Sequence, residues 1–169
     1  AFNYIRLGKA DAIIAGGAEA TINPLAVGGF TNCKALSKST NPLEASLPFD
    51  ARRAGFVIGE GSGIVVLEEY EHAKARGAKM YGELCGYGNT CDAYHYTAPK
   101  PDGSCASLAI RQAMEQAKYT SDDVVYVNAH GTGTPLNDKS ETKALKLAFG
   151  EEDAKKLHIS SSKSMTGHT

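Results

Sequence analysis

Two histidines stand in short polar segments beside glycine, and together they offer a pair of N–H donors. The segments are Asn128-Ala129-His130-Gly131-Thr132-Gly133-Thr134-Pro135 and Lys163-Ser164-Met165-Thr166-Gly167-His168. A neutral imidazole donates its N–H to an oxygen that gains negative charge, and two of them in a dry pocket would stabilise an enolate or oxyanion. One loop histidine is more often structural than catalytic. Two of them, each placed at or just past the expected end of a strand, point to a single reaction centre. Lys163 would help keep His168 neutral, because a nearby positive charge disfavours a second one. Standing alone, Lys163 would read as a surface lysine after a serine run. Metal binding is the competing use of paired histidines, but neither has an Asp or Glu at ligand spacing. Residues 130–135 lack the spacing and lysine of a phosphate loop and do not complete a dinucleotide fingerprint. Gly59-Glu60-Gly61-Ser62-Gly63 precedes a strand rather than following one, so a nucleotide reading is weak there as well.

The elements that must position these residues follow from pattern. Ala1 to Leu7 reads as the tail of a helix stopped at Gly8. Ala12-Ile13-Ile14-Ala15 is an apolar run suited to a buried strand and bounded by Gly16-Gly17. Residues 21–55 are rich in Asn, Pro, Ser and Gly, which predicts short helices and loops. Residues 61–67 read as a second buried strand, followed by a charged helix over 68–76 with Gly77 at its C′ position. A glycine-rich strand is predicted over 81–89 and an amphipathic helix over 104–119. A turn at 121–123 leads into a strand at 124–127, then a helix over 138–149 and a strand at 157–161. After residue 80 the order is β, α, β, α, β, which implies a parallel sheet with right-handed crossovers. Ligands collect beyond the carboxyl ends of such strands.

The 169 residues are enough for one sizeable core, and a net charge of −1 shows no nucleic-acid footprint or polybasic membrane patch. A hydrophobic content of 42% and a charged content of 22% are ordinary for a soluble domain. No stretch has the length of a membrane span, and no secretory signal opens the sequence. Cys33, Cys85, Cys91 and Cys105 form no Cys-x-x-Cys pair, so they read as buried or half-buried free thiols of a reducing cytoplasm rather than a zinc site or disulfide framework. With no start methionine or N-cap before the first helix, and an end directly after His168, the chain is expected to be a piece of a longer protein.

The two histidine segments resemble the paired histidine motifs of the β-ketoacyl-[acyl-carrier-protein] synthases. Further stretches agree in order: Pro48-Phe49-Asp50, Arg53-Ala54-Gly55-Phe56-Val57, Gly59-Glu60-Gly61, the helix 67–77, and Asp92-Ala93-Tyr94-His95-Tyr96-Thr97-Ala98-Pro99. The last resembles a loop of the elongating type II enzyme of bacterial fatty acid synthesis. The resemblance implies an α/β, thiolase-like fold, a five-layer αβαβα sandwich of two βαβαβαββ halves. Residues 1–79 would be the end of the first half and 80–169 the start of the second. It also implies a decarboxylative Claisen condensation between an acyl thioester and malonyl-acyl carrier protein, in a cytoplasmic homodimer whose contact includes the strand near 11–18.

On the same resemblance His130 and His168 would hold the malonyl thioester oxygen and the enolate, and Lys163 would tune that centre. Thr132 and Thr134 would bind the phosphopantetheine arm, with His95 and Thr97 lining its approach. The partner would be acyl carrier protein, and no separate cofactor is implied, because the substrates carry phosphopantetheine. No metal is expected, although Asn128 falls near a structural cation site of some relatives. The nucleophilic cysteine of the family, at the N-terminus of the helix whose tail is Ala1 to Leu7, matches none of the four cysteines. The family's glycine-rich C-terminal motif is absent as well. The isolated chain is therefore expected to be inactive. A polyketide ketosynthase domain and a non-catalytic chain-length-factor-like partner are the alternative readings.

Overall fold

The computed structural model describes residues 1–169. Helix α1 (Phe2–Arg6) leads through Gly8 into strand β1 (Ala12–Glu19). β1 pairs antiparallel with β2 (Gly61–Glu68) over all eight residues, from Ala12 opposite Glu68 to Glu19 opposite Gly61. Gly16 and Gly17, expected to bound the first strand, lie inside it because this ladder continues past them. Between the two strands, Asn23 caps α2 (Pro24–Asn32) by accepting from the amides of Leu25 and Ala26 at 3.1 and 3.0 Å, with Pro24 at the first position. The predicted charged helix is α3 (Tyr70–Ala75). It starts late because Glu68 ends β2 and Glu69 is the cap, accepting from the His72 amide at 2.7 Å.

The expected burial of these two strands does not hold. Ile14, Ile64 and Val66 are 75%, 60% and 62% exposed. Each strand has one neighbour in its sheet, and none of the helices packs broadly across the pair. Only 17 of 169 residues are buried, so the apolar strands lack the covering layers that their composition calls for.

The second unit is better packed. Helices α4 (Ser104–Ala117) and α5 (Pro135–Phe149) lie together, followed by α6 (Glu151–Ala154). Leu145, Phe149 and Ala154 form its core, with Ile110, Met114, Val124, Val127 and Leu157 against them. Strands β3 (Tyr126–Asn128) and β4 (His158–Ser160) pair in parallel, joined by α5 and α6, as a β-α-β crossover requires. The predicted strand at 81–89 is absent. Its Tyr87 and Asn89 amides donate to the side chains of Gln116 and Gln112 on α4, at 2.7 and 3.2 Å. Gly86 and Gly88 press against the carbonyls of Ala113 and Ala109, where no Cβ would fit. The segment thus spends its hydrogen bonds on a helix instead of a ladder. Helix α5 starts three residues earlier than predicted, because Pro135 occupies its first position and Thr134 caps it.

Candidate active site

His130 leaves β3 two residues after the strand ends, as the motif predicted. His168 arrives differently from the expectation. Seven residues separate it from β4, and the one-turn helix α7 (Lys163–Thr166) lies in the gap. The His168 backbone is then caught by a segment far away in sequence. Its amide donates to Val57 O at 2.7 Å, and its carbonyl accepts from the Gly59 amide at 2.8 Å. These bonds make a parallel bridge between Ile58 and His168. The two imidazoles meet edge to face, with ring centroids 5.6 Å apart and planes at 88°. Phe56 packs against His168 at 4.9 Å between centroids, and Phe30 meets Phe56 at 5.2 Å. An apolar wall therefore backs one histidine, while His130 keeps an exposed face.

Both imidazoles are held below the ordinary histidine pKa of 6.5. Burial is the larger cause in each, and the ammonium of Lys163 is the next. For His130, Glu141 pulls in the opposite direction, more weakly than burial and Lys163. Desolvation and a nearby cation both penalise imidazolium, so each ring is kept as the neutral donor that the sequence reading required.

The loop that carries His130 is held from below by two carboxylates on the first turns of α5. Glu141 accepts from the amides of His130 and Gly131 at 2.7 and 2.8 Å. Asp138, 2% exposed, accepts from the Phe49 amide at 2.7 Å and the Gly133 amide at 3.2 Å. Arg53 stands 3.6 Å from the same carboxylate. Gly131 has φ +40°, and a Cβ there would meet Ser161 at 2.5 Å and Phe49 at 2.9 Å. Buried Ser161 ties the two motifs together. Its hydroxyl donates to the His130 carbonyl at 3.2 Å and accepts from the Lys163 amide at 3.3 Å.

The remaining predicted residues fall in three places. The Thr132 and Thr134 hydroxyls pair at 2.8 Å below the His130 loop. Thr132 is buried, and Thr134 also accepts from the Asn137 amide at 3.3 Å as the cap of α5. Asn128 accepts from the Ser162 amide at 3.2 Å, a second tie between the two motifs. His95 and Thr97 stand on the loop before α4, and no hydrogen bond joins them to the histidine pair. There His95 Nδ1 accepts from the amides of Thr97 and Ala98, each at 3.1 Å. Asp138, Glu141, Ser161 and Phe56 were not singled out as site residues from the sequence. The spacing Thr134-x-x-x-Asp138-x-x-Glu141 was the available signal, since it puts both carboxylates on one face of a helix directly after the motif.

The profile of the β-ketoacyl synthase N-terminal domain matches residues 1–73, and that of the C-terminal domain matches residues 81–169. The chain is 54% identical over 169 residues to the 3-oxoacyl-[acyl-carrier-protein] synthase 2 of Vibrio harveyi, covering 99% of this chain and 41% of that protein. It is 52% identical to the mitochondrial 3-oxoacyl-[acyl-carrier-protein] synthase of Arabidopsis thaliana, covering 99% of this chain and 37% of that one. Among solved structures, a type II polyketide ketosynthase in complex with its acyl carrier protein superposes with a TM-score of 0.94 at 45% identity, over 99% of this chain and 41% of that one. A β-ketoacyl synthase from Burkholderia phymatum gives 0.88 at 43% identity, over 100% and 40%. The chain thus spans about two fifths of the relatives it matches. With both profiles matched in order around one histidine pair, it belongs to the β-ketoacyl synthase family and carries part of a thiolase-like fold.

Proposed function

We propose that the protein carrying residues 1–169 is an elongating 3-oxoacyl-[acyl-carrier-protein] synthase, and that this chain supplies its enolate-forming centre. The observation that carries the reading is the perpendicular His130–His168 pair, both rings held neutral by burial and by Lys163. In the proposed step the malonyl thioester oxygen accepts from the two imidazole N–H groups. The bond between the malonyl α-carbon and its carboxylate breaks, CO2 leaves, and the electron pair becomes the enolate. The α-carbon then attacks an acyl thioester held on a cysteine, and that thiolate leaves. Preorganised donors aimed at the developing charge lower the barrier without reorganisation at the moment of reaction.

We place the nucleophilic cysteine outside residues 1–169, since none of the four cysteines hydrogen-bonds to either histidine or to Lys163. On that reading residues 1–169 alone yield no 3-oxoacyl product from acyl- and malonyl-acyl carrier protein, and turnover by them would contradict it. Thr134, the more exposed of the threonine pair, presents its hydroxyl to the phosphopantetheine arm, with Thr132 fixing its orientation. His95 and Thr97 line the approach. The partner is acyl carrier protein, the compartment is the cytoplasm, and no dissociable cofactor is needed. A homodimer built across β1 belongs to the same reading.

The test is carbon dioxide release from malonyl-acyl carrier protein by the full-length protein. His130→Ala and His168→Ala should each lower it by about 10²–10³-fold, the scale of losing one oxyanion donor. A variant that decarboxylates at the parent rate would sink the assignment. A polyketide ketosynthase is the second reading, favoured by the superposition of 0.94 on such an enzyme. The higher identity to a 3-oxoacyl-[acyl-carrier-protein] synthase 2, 54% against 45%, supports the first reading.

A further inference from the structure

Residues 46–49 touch both histidine motifs. Half-buried Ser46 donates its hydroxyl to the Lys163 carbonyl at 2.7 Å, across 117 positions of sequence. The same carbonyl accepts from the Gly167 amide at 3.1 Å. Both of its lone pairs are therefore used, one of them by the residue before His168. The Lys163 amide donates to Ser161 Oγ at 3.3 Å, so both backbone polar groups of the lysine are held by serine hydroxyls. At the other end of the segment, the Phe49 amide donates to Asp138, which also accepts from the Gly133 amide in the His130 loop. The Phe49 ring lies so close to Gly131 that a Cβ there would meet it at 2.9 Å. One short segment thus spans the two motifs, and every partner lies within residues 1–169. Lys100 and Lys155 hold their ammonium groups on carboxylates at 3.0 and 2.7 Å. The Lys163 ammonium has no such partner, so its reach to the imidazoles depends on where its backbone is set.

We infer that Ser46 is a positioning residue of the proposed centre, whose hydroxyl sets the backbone from which Lys163 reaches the two imidazoles. The inference rests on the roles proposed for His130, His168 and Lys163. Ser46 touches no reacting atom and acts through the lysine. Other charges bear on the rings as well. Glu141 and Asp138 favour a charged His130, and His168 disfavours it. Lys163 is the charged group that bears on both rings. A change that enters through Lys163 therefore moves the two histidines together, whereas one that enters through Asp138 or Glu141 moves His130. Without the Ser46 hydroxyl the Lys163 carbonyl keeps the Gly167 amide alone, α7 loses its tie to residue 46, and the ammonium spends less time near the rings.

The experiment is an NMR titration of both imidazoles in the full-length protein, as the parent, Ser46→Ala, Lys163→Ala and the double variant. Lys163→Ala should raise both histidine pKa values, and Ser46→Ala should raise both by less. Once Lys163 is alanine, Ser46→Ala should add nothing, because residues that act through one another are not additive. In Ser46→Ala, kcat for carbon dioxide release from malonyl-acyl carrier protein should fall about tenfold, short of the roughly 10²-fold that a 1 Å misplacement can cost, with KM unchanged. Histidine pKa values that are unchanged or lowered in Ser46→Ala, beside raised ones in Lys163→Ala, would overturn the inference and leave the role of Lys163 standing. An equal shift in both backgrounds would overturn it too, since Ser46 would then act by a route other than the lysine. Unchanged values in both single variants would remove Ser46 and Lys163 together.

Discussion

Lys163 is the residue whose charge most directly bears on the chemistry. It lowers the pKa of both His130 and His168 beyond what burial does. Both rings titrate below 6.5, so the neutral donors persist into mildly acidic solution and are lost as pH falls through the depressed values. The linkage has the same sign. The unfolded chain binds protons that the folded one refuses, so this part of the stability is present above 6.5 and lost below it. Replacing Lys163 with alanine removes the cation and leaves burial. The acid limb of malonyl decarboxylation by the full-length protein should therefore move to higher pH, toward the ordinary histidine value. NMR titration of the two imidazoles checks the same shift directly, and unchanged histidine pKa values would remove Lys163 from the mechanism. The pairing of His130 with His168 was legible in the sequence because each stands beside glycine at or past a strand end. The carboxylates beneath them were not, since Asp138 and Glu141 act through backbone amides, and a bond to an amide leaves no mark in the partner's side chain.

Helix α5 does more than connect two strands. Its first turns hold the His130 loop through Glu141 and the 48–50 segment through Asp138, with Arg53 beside the buried carboxylate. Asp138→Asn keeps the shape but turns an NH2 toward the amide donors that the carboxylate accepts from and leaves the Arg53 charge without its partner, and should cost about 3 kcal/mol in chemical denaturation of the full-length protein. A loss no larger than that of an exposed substitution would show that the buried carboxylate is incidental. The same helix shows where periodicity reads well and where it does not. Its inward face, Ala144, Leu145 and Phe149, was evident from spacing, whereas its start was set by Thr134 and Pro135, which the motif had claimed. The segment 81–89 has the composition of a strand, but its partners are the side chains of Gln112 and Gln116. Composition states what a backbone can adopt, and only the neighbours decide what it pairs with.

Across the whole molecule the two units differ in how well they are covered. The strands β1 and β2 present Ile14, Ile64 and Val66 to solvent on one face and Val65 on the other, apolar exposure of a kind that soluble monomers rarely show. The isolated chain should bind the dye ANS and associate with rising concentration in sedimentation velocity. The full-length protein should do the first far less. Dye-free, monomeric behaviour of residues 1–169 would mean that the strands find a cover by rearranging. The parallel pairing of β3 and β4 was readable from the order of elements, and the thiolase-like class from the family resemblance, but burial was not, because an apolar strand looks the same whether or not the layers over it are present. The bridge from Ile58 to His168 carries a last implication, for anyone altering this protein. The backbone of one imidazole of the proposed centre is held by a strand-like segment more than a hundred residues away. Substitutions at 55–59 chosen to firm up that stretch would therefore be read out as changes in turnover, so stability and rate cannot be selected independently there.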